Sequence, residues 1–429
     1  MKKITVWILL AGIVLGLCGC TQEKPQMQQP APTEPVQVQQ PVDFFVPDPM
    51  EYPDYTFQHT PTPEELRQMA VKAMLDQLSV QFSVGKFMYY KKSSGSVSNK
   101  FFSYVPEVIY AGMPYTIGSS GLVQWMEFYD AETGRFTFNG TGEELDKTLG
   151  NSCAACVGSS WYAVCTSISG QFSTYFMTPM NGCIPVGPYQ SNYGITDYRQ
   201  YTTDRICADN GEQVLYQSYA EILPADALVS SPDVHAIMAI EPAHVVYNED
   251  GTINGKESTV TIADQRAGDG DVFYVLEDAQ GNEISYSGRI RYDYTFEELW
   301  NLSYIPVTTA EFLGTKDYTA PEVTFTQGSG SKQELISGTI ESNYPMRVIR
   351  TVLVDQDGER TVVDRVLLNN THVNSGKAYK YDTLELNVML AESVIREYME
   401  DGKTYSLCLE VAIANGQNHT VAQVDGLSK

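Results

Sequence analysis

Cys153 is the residue in this chain whose type and setting best suit nucleophilic chemistry. It stands in Gly150-Asn151-Ser152-Cys153-Ala154-Ala155-Cys156-Val157, and apolar residues at helical spacing continue through Trp161, Val164 and Ile168. That pattern puts its thiol at a helix N-terminus. There, unpaired backbone N–H groups and the helix dipole favour a thiolate and help an oxyanion form. Cys156 lies a turn inside, where both effects fade, and reads as packing. Cysteine hydrolysis also needs a base, and a polar group to orient that base. His235 is the preferred base among 5 histidines. It follows Ser230-Ser231-Pro232-Asp233 and begins an apolar, strand-like run at 234–240. His244 is the second choice. The orienting group is expected on the paired strand at 259–265, from Asp264 or Gln265 at its end.

Each of these residues has a plainer use. A cysteine among small residues packs, a histidine at a strand start sits at the surface, and Asp264-Gln265 begins a turn. The order helix-cysteine, strand-histidine, strand-polar is what joins them. Two other chemistries fit less well. A Cys153-x-x-Cys156 redox pair wants thioredoxin-like flanks that this sequence lacks. Zinc on Cys153, Cys156 and Cys165 with a histidine wants a second paired-ligand motif, and there is none. The reading therefore calls for no cofactor and no metal.

Several elements must position these groups. Thr62-Pro63-Glu64-Glu65 predicts a helix start with a capping box, followed by an apolar stripe of Leu66, Met69, Ala70, Ala73 and Met74. Short aromatic runs follow at 87–90 and 101–110. Residues 171–219 read as a long, Gly/Pro-punctuated excursion carrying Tyr175, Tyr189, Tyr193, Tyr198, Tyr201, Tyr216 and Tyr219. It is expected either to wall a substrate groove or to cover the surface. Strands are predicted at 234–240, 245–247, 259–263 and 273–276, with a hairpin turn at Asn248-Glu249-Asp250-Gly251 and a helix at 296–302. Past a boundary at 315–321, strand-like runs recur at 323–326, 334–340, 347–354, 361–368 and 405–414, with one helical stretch at 390–399. The fold class expected is α+β. A domain at 62–314, with a helix packed on an antiparallel sheet, precedes a β-rich, sandwich-like domain at 315–429.

The N-terminus reads as an export signal, with Lys2 and Lys3 ahead of an apolar stretch at 4–17. It ends Leu17-Cys18-Gly19-Cys20, which resembles the lipobox of bacterial lipoproteins. That resemblance implies a signal peptide at 1–20, with Cys20 carrying the lipid. It implies a chain anchored to the cell membrane on the extracytoplasmic face. Residues 21–61, rich in Gln and Pro, read as a flexible linker. A formal net charge of −25 argues against nucleic acid or an anionic membrane surface as partner. Of the 8 cysteines, Cys183 and Cys207 are compatible with a bridge that the sequence does not assign.

The central segments resemble the NlpC-type and CHAP-type cell-wall cysteine peptidases and amidases, a branch of the papain-like superfamily. Gly112-Met113-Pro114-Tyr115 resembles the Gly-x-Pro-Tyr that precedes the nucleophile. Ser152-Cys153-Ala154-Ala155-Cys156-Val157 resembles Asp-Cys-Ser-Gly-Phe-Val. Leu223-Pro224-Ala225-Asp226-Ala227-Leu228 resembles the Leu-x-Pro-Gly-Asp-Leu turn before the catalytic histidine, and Val234-His235-Ala236-Ile237 resembles Gly-His-Val-Gly. The resemblance spans 112–265, with a large insertion between cysteine and histidine. It implies a papain-like fold, an amide-cleaving activity on peptidoglycan or other cell-wall peptides, and substrate-side positions at Tyr115 and Ser152. Ser152 stands where the family has an acid that in some members holds a substrate amine. Ala154 and Ala225 depart as well. The alternatives are a non-enzymatic surface-binding lipoprotein on the same scaffold and an acyl transfer of the transglutaminase type.

Overall fold

The structure, a computed structural model, describes residues 52–92, 100–116, 120–130, 132–138, 149–168, 183–191, 202–266, 274–277, 281, 283–286, 289–330, 334–368 and 385–429. Cys18, Cys20, the signal segment and most of the linker lie outside the described residues. So do Tyr175, Tyr193, Tyr198 and Tyr201.

Helix Pro63–Ser79 begins as the sequence predicts. Thr62 caps it, Glu65 closes the box, and Pro63 occupies the first turn. Leu66, Ala70, Ala73 and Met74 are buried, with Met69 packed beside them. This helix packs on helix Cys153–Tyr162, which in turn packs on strand His235–Ala239. The strand belongs to a sheet running Arg289–Thr295, Thr259–Asp264, His235–Ala239, Ala227–Ser230, Ile305–Thr308, Ile184–Pro185. Every neighbouring pair in it is antiparallel. The observed class is thus α+β with mostly antiparallel sheets. Along His235–Ala239 every residue is buried, so this central strand is apolar on both faces instead of alternating.

A second sheet joins Tyr274–Glu277, Glu283–Tyr286, Ile109–Ala111, Gln81–Val84, Arg135–Phe136 and Tyr129–Asp130, with two parallel pairings. Near the C-terminus, a three-stranded sheet of Val323–Gln327, Glu334–Ser342 and Glu385–Ala391 shares one core with a four-stranded sheet. The latter comprises Arg360–Leu367, Met346–Asp355, Tyr405–Ile413 and Asn418–Leu427. Ile340 and Tyr344 meet Met346, Leu407 and Leu409 there. Charges tie these strands to earlier ones: Arg350 faces both Glu127, at 3.7 Å, and Glu410, at 3.2 Å.

Several expectations need correction. The excursion at 171–219 contains helices Thr203–Asn210 and Glu212–Ala220, and Tyr189, Tyr216 and Tyr219 are buried in the main core. They therefore wall no groove. Segment 245–247 forms only an isolated antiparallel bridge, Tyr247 to Ile253, and no full strand, because Val246 N–H bonds the Ser258 hydroxyl at 2.9 Å. The helical stretch at 390–399 is the end of strand Glu385–Ala391, then short helical turns Glu392–Ile395 and Arg396–Tyr398. Cys183 and Cys207 are both free thiols, as are Cys153, Cys156, Cys165 and Cys408.

Candidate active site

Helix Cys153–Tyr162 starts at the cysteine, and Ser152 is its extended N-cap, with no side-chain bond to the first turn. The backbone of Asn151 fixes this entry. Asn151 N–H bonds Pro114 O at 3.1 Å and Thr116 N–H bonds Asn151 O at 3.0 Å, which holds Tyr115 beside the helix start. His235 opens its strand, after a turn in which Asp233 N–H bonds the Ser230 hydroxyl and Asp233 accepts from the Tyr304 hydroxyl at 3.0 Å. Val234 has φ 51°, a left-handed backbone that a β-branched residue rarely takes. Such strain beside a candidate base is the kind that the surrounding fold must hold in place.

These elements bring the expected groups together. His235 Nε2 lies 2.6 Å from Asp264 Oδ1. That leaves Nδ1 for the sulfur, and the imidazole and the Cys153 thiol act on each other's charge. The Tyr115 hydroxyl donates to Cys153 Sγ at 3.8 Å, and the Cys153 backbone N–H lies against that hydroxyl. The Cys153 thiol donates to Val234 O at 3.9 Å, and the Ala236 N–H also acts on the sulfur.

Charge follows from this geometry. Burial pushes the Cys153 thiol up, but the facing His235 charge and hydrogen bonds from His235, Ala236 and Tyr115 overcome it. The net direction is below the ordinary 9.0. Burial alone would lower His235, yet Asp264 and the sulfur push it up to about 10. Both directions favour one state, a thiolate–imidazolium pair. Burial, and then the neighbouring sulfur, raise Tyr115 well above 10.0, so it remains a neutral phenol able to donate. Cys156 takes the opposite course. Its thiol is raised by burial, and its sulfur lies 3.4 Å from Met74 Sδ.

The pair is almost wholly buried. Cys153 is 4% exposed and His235 6%, while Asp264 behind them is 0% and Val234 in front is 50%. Arg266 Nε faces Asp264 Oδ2 at 3.5 Å, a partner the sequence reading missed although it lies two residues along. Gln265 is not the orienter. It is buried and donates to Met113 O at 2.9 Å and to Asn151 Oδ1 at 2.8 Å. His244 is exposed and pairs only its backbone, with Thr259, so it does not replace His235. Trp161 reaches the turn before the histidine hairpin, donating to Ala225 O at 2.8 Å.

That turn holds a further feature without a sequence signal. Arg67, from helix Pro63–Ser79, bonds Asp226 Oδ1 and Pro224 O, each at 2.7 Å, with both charged groups buried. Ala225, where the resemblance has glycine, adopts φ 71° and is held by its N–H to Ala239 O at 2.8 Å. Alanine in that conformation costs roughly 1–2 kcal/mol, which explains why glycine suits the position.

Among the described residues, no three His, Cys, Asp or Glu side chains are grouped to hold a metal, and no helix is long and apolar enough to cross a membrane. No protein-family model matches the chain, and neither the curated proteins nor the solved structures contain a match to it.

Proposed function

We propose that this chain is a cysteine hydrolase that cleaves an amide bond, with Cys153 as nucleophile, His235 as base and then acid, and Asp264 as orienter. The observation that carries the reading is the Asp264–His235 pair at 2.6 Å beside the helix-start sulfur, which lies 3.9 Å from the carbonyl of Val234, the residue before His235. The Cys153 thiolate attacks the substrate carbonyl. The C–N bond breaks as His235 gives its proton to the leaving amine, and an acyl-thioester remains. Water, losing a proton to His235, then releases the acid and restores the thiol. In this reading the Cys153 N–H and the Tyr115 hydroxyl, 3.8 Å from the sulfur, stabilise the oxyanion.

The finer reading rests on the resemblance. It comprises a papain-like domain at 62–314, a β-rich sandwich-like domain at 315–429 that binds or positions, and peptidoglycan stem or cross-bridge peptides as substrate. It also includes attachment through lipid on Cys20 at the outer face of the membrane. The test is incubation with soluble peptidoglycan peptides, followed by mass spectrometry. The wild type yields products shorter by hydrolysis of one amide, and Cys153→Ala yields none while keeping its fold. Equal cleavage by Cys153→Ala would remove the assignment. A competing reading, a surface-binding lipoprotein that does no chemistry, draws on the narrow opening: only 4% of Cys153 is exposed. Binding of the same peptides without cleavage by the wild type favours it.

A further inference from the structure

The groups of the site stand on segments far apart in sequence, and one buried amide network lies behind all of them. Gln265 follows Asp264 directly and spends its side-chain N–H groups on Asn151 Oδ1 at 2.8 Å and Met113 O at 2.9 Å. Asn151, two residues before Cys153, passes its own amide to Gln77 Oε1 at 2.9 Å. Gln77 donates back to Ser160 Oγ at 2.9 Å and Cys156 O at 3.3 Å, both on the helix that Cys153 begins. Ser159 closes the set with 2.6 Å to Gln77 Oε1. Gln77, Asn151, Ser160 and Gln265 are all buried.

We infer that Gln265 and Asn151 form a positioning clamp, which sets the separation between the nucleophile helix and the strand end that carries Asp264. Met113 O and the Tyr115–Asn151 backbone bridge bring Tyr115 into the same frame. The amides carry no charge, and the Gln265 N–H groups go to Met113 O and Asn151 Oδ1 and not to the Cys153 sulfur or the His235 imidazole, so their effect on the reaction is geometric. Buried amides of this kind are costly unless fully paired, and once paired they specify one arrangement. Loosening the clamp lengthens the path from Asp264 through His235 to Cys153. The ion pair weakens and the thiol moves back toward the value that burial alone would give it. The inference rests on the functional reading above, because it concerns how that site is held.

The experiment is the pH profile of iodoacetamide alkylation at Cys153 in the full chain, which needs no substrate. The wild type, Gln265→Met and Tyr189→Phe are compared, each shown folded by near-UV circular dichroism. Tyr189→Phe removes an equally buried hydrogen bond, to Pro306 O at 2.9 Å, at the far side of the same sheet. The expected result is an acid midpoint raised by about one pH unit in Gln265→Met, roughly a tenfold slower reaction on the acid side, and unchanged in Tyr189→Phe. Should Gln265→Met not fold, Gln265→Asn, an amide one methylene shorter, is read the same way. An unmoved midpoint in the folded Gln265 variant, or an equal shift in Tyr189→Phe, overturns the clamp. A wild type whose Cys153 has no midpoint below that of a free thiol instead overturns the functional reading.

Discussion

His235 Nε2 meets Asp264 Oδ1 at 2.6 Å across adjacent antiparallel strands, at the end of the sheet where helix Cys153–Tyr162 begins. This contact fixes which ring nitrogen faces the sulfur. Oriented this way, the imidazole is almost wholly withdrawn from solvent. The carboxylate is fully buried, so its attraction for the imidazolium is weakly screened.

The first prediction concerns pH. His235 is raised from 6.5 to about 10, so the stability it contributes is present below 6.5 and lost as pH rises through about 10. Cys153 is lowered from 9.0, so its contribution is present above 9.0 and lost as pH falls through the lowered value. Amide cleavage is therefore expected to rise along an acid limb with its midpoint below 9.0 and to fall along an alkaline limb near 10. In His235→Ala, burial acts on the thiol with no facing cation, and the alkylation midpoint rises above 9.0. Cleavage in that variant falls by about 10²- to 10⁴-fold.

Asp264→Asn keeps the shape of the orienter and removes its charge. The cause of the raised His235 value is then largely gone, and the alkaline limb moves from about 10 toward the ordinary 6.5. NMR titration of the His235 ring in the variant checks this directly. An unchanged titration contradicts the orienting role.

Arg266 acts on the same carboxylate from its other oxygen, at 3.5 Å. The groups electrostatically facing Asp264 include the His235 imidazole, the Arg266 guanidinium, the Tyr115 and Tyr304 phenols and the Cys156 thiol. Removing a positive charge there makes every neighbouring proton harder to lose. Arg266→Gln is expected to raise both limbs of the pH profile by roughly half a unit, because the partly exposed guanidinium is screened. Arg266→Lys leaves them near the wild type. Opposite movement of the two limbs contradicts this account.

Much of the site is legible in the sequence because its signals are local. A cysteine ahead of an apolar helical stripe marks a helix start, and a histidine opening an all-apolar run marks a buried strand. Asp264 ends the next such run. The choice between Asp264 and Gln265 is not legible, because neighbouring strand residues point to opposite faces and register alone decides which one meets His235. Asn151 and Gln77 carry no periodic signal, since single buried amides show their worth only once their partners are assembled. Helices Thr203–Asn210 and Glu212–Ala220 are short, and Gly211 between them at φ 84° reads as loop punctuation. Strand Glu385–Ala391 ends where Glu392 starts a helical turn, so one apolar run serves two elements.

Arg67 offers a test of stability separate from chemistry. Its side chain is 3% exposed and spans helix Pro63–Ser79, the Pro224-Ala225-Asp226 turn and Phe312 O, at 3.2 Å. Arg67→Met leaves Asp226 buried without its cation. A loss of about 3–5 kcal/mol is expected in urea unfolding at pH 7. A change below about 1 kcal/mol contradicts the anchoring of this turn by the ion pair.

The most direct measurement is a thiol-reactivity map of the folded chain at pH 7. The protein is treated briefly with iodoacetamide, unfolded, treated with an isotopically heavy form, and digested for mass spectrometry. Cys153 is predicted to carry the first label, with Cys156, Cys165, Cys183, Cys207 and Cys408 carrying the second, and His235→Ala is predicted to abolish the difference. If Cys153 reacts no faster than the other five thiols, no thiolate faces the imidazole and the hydrolase proposal is wrong.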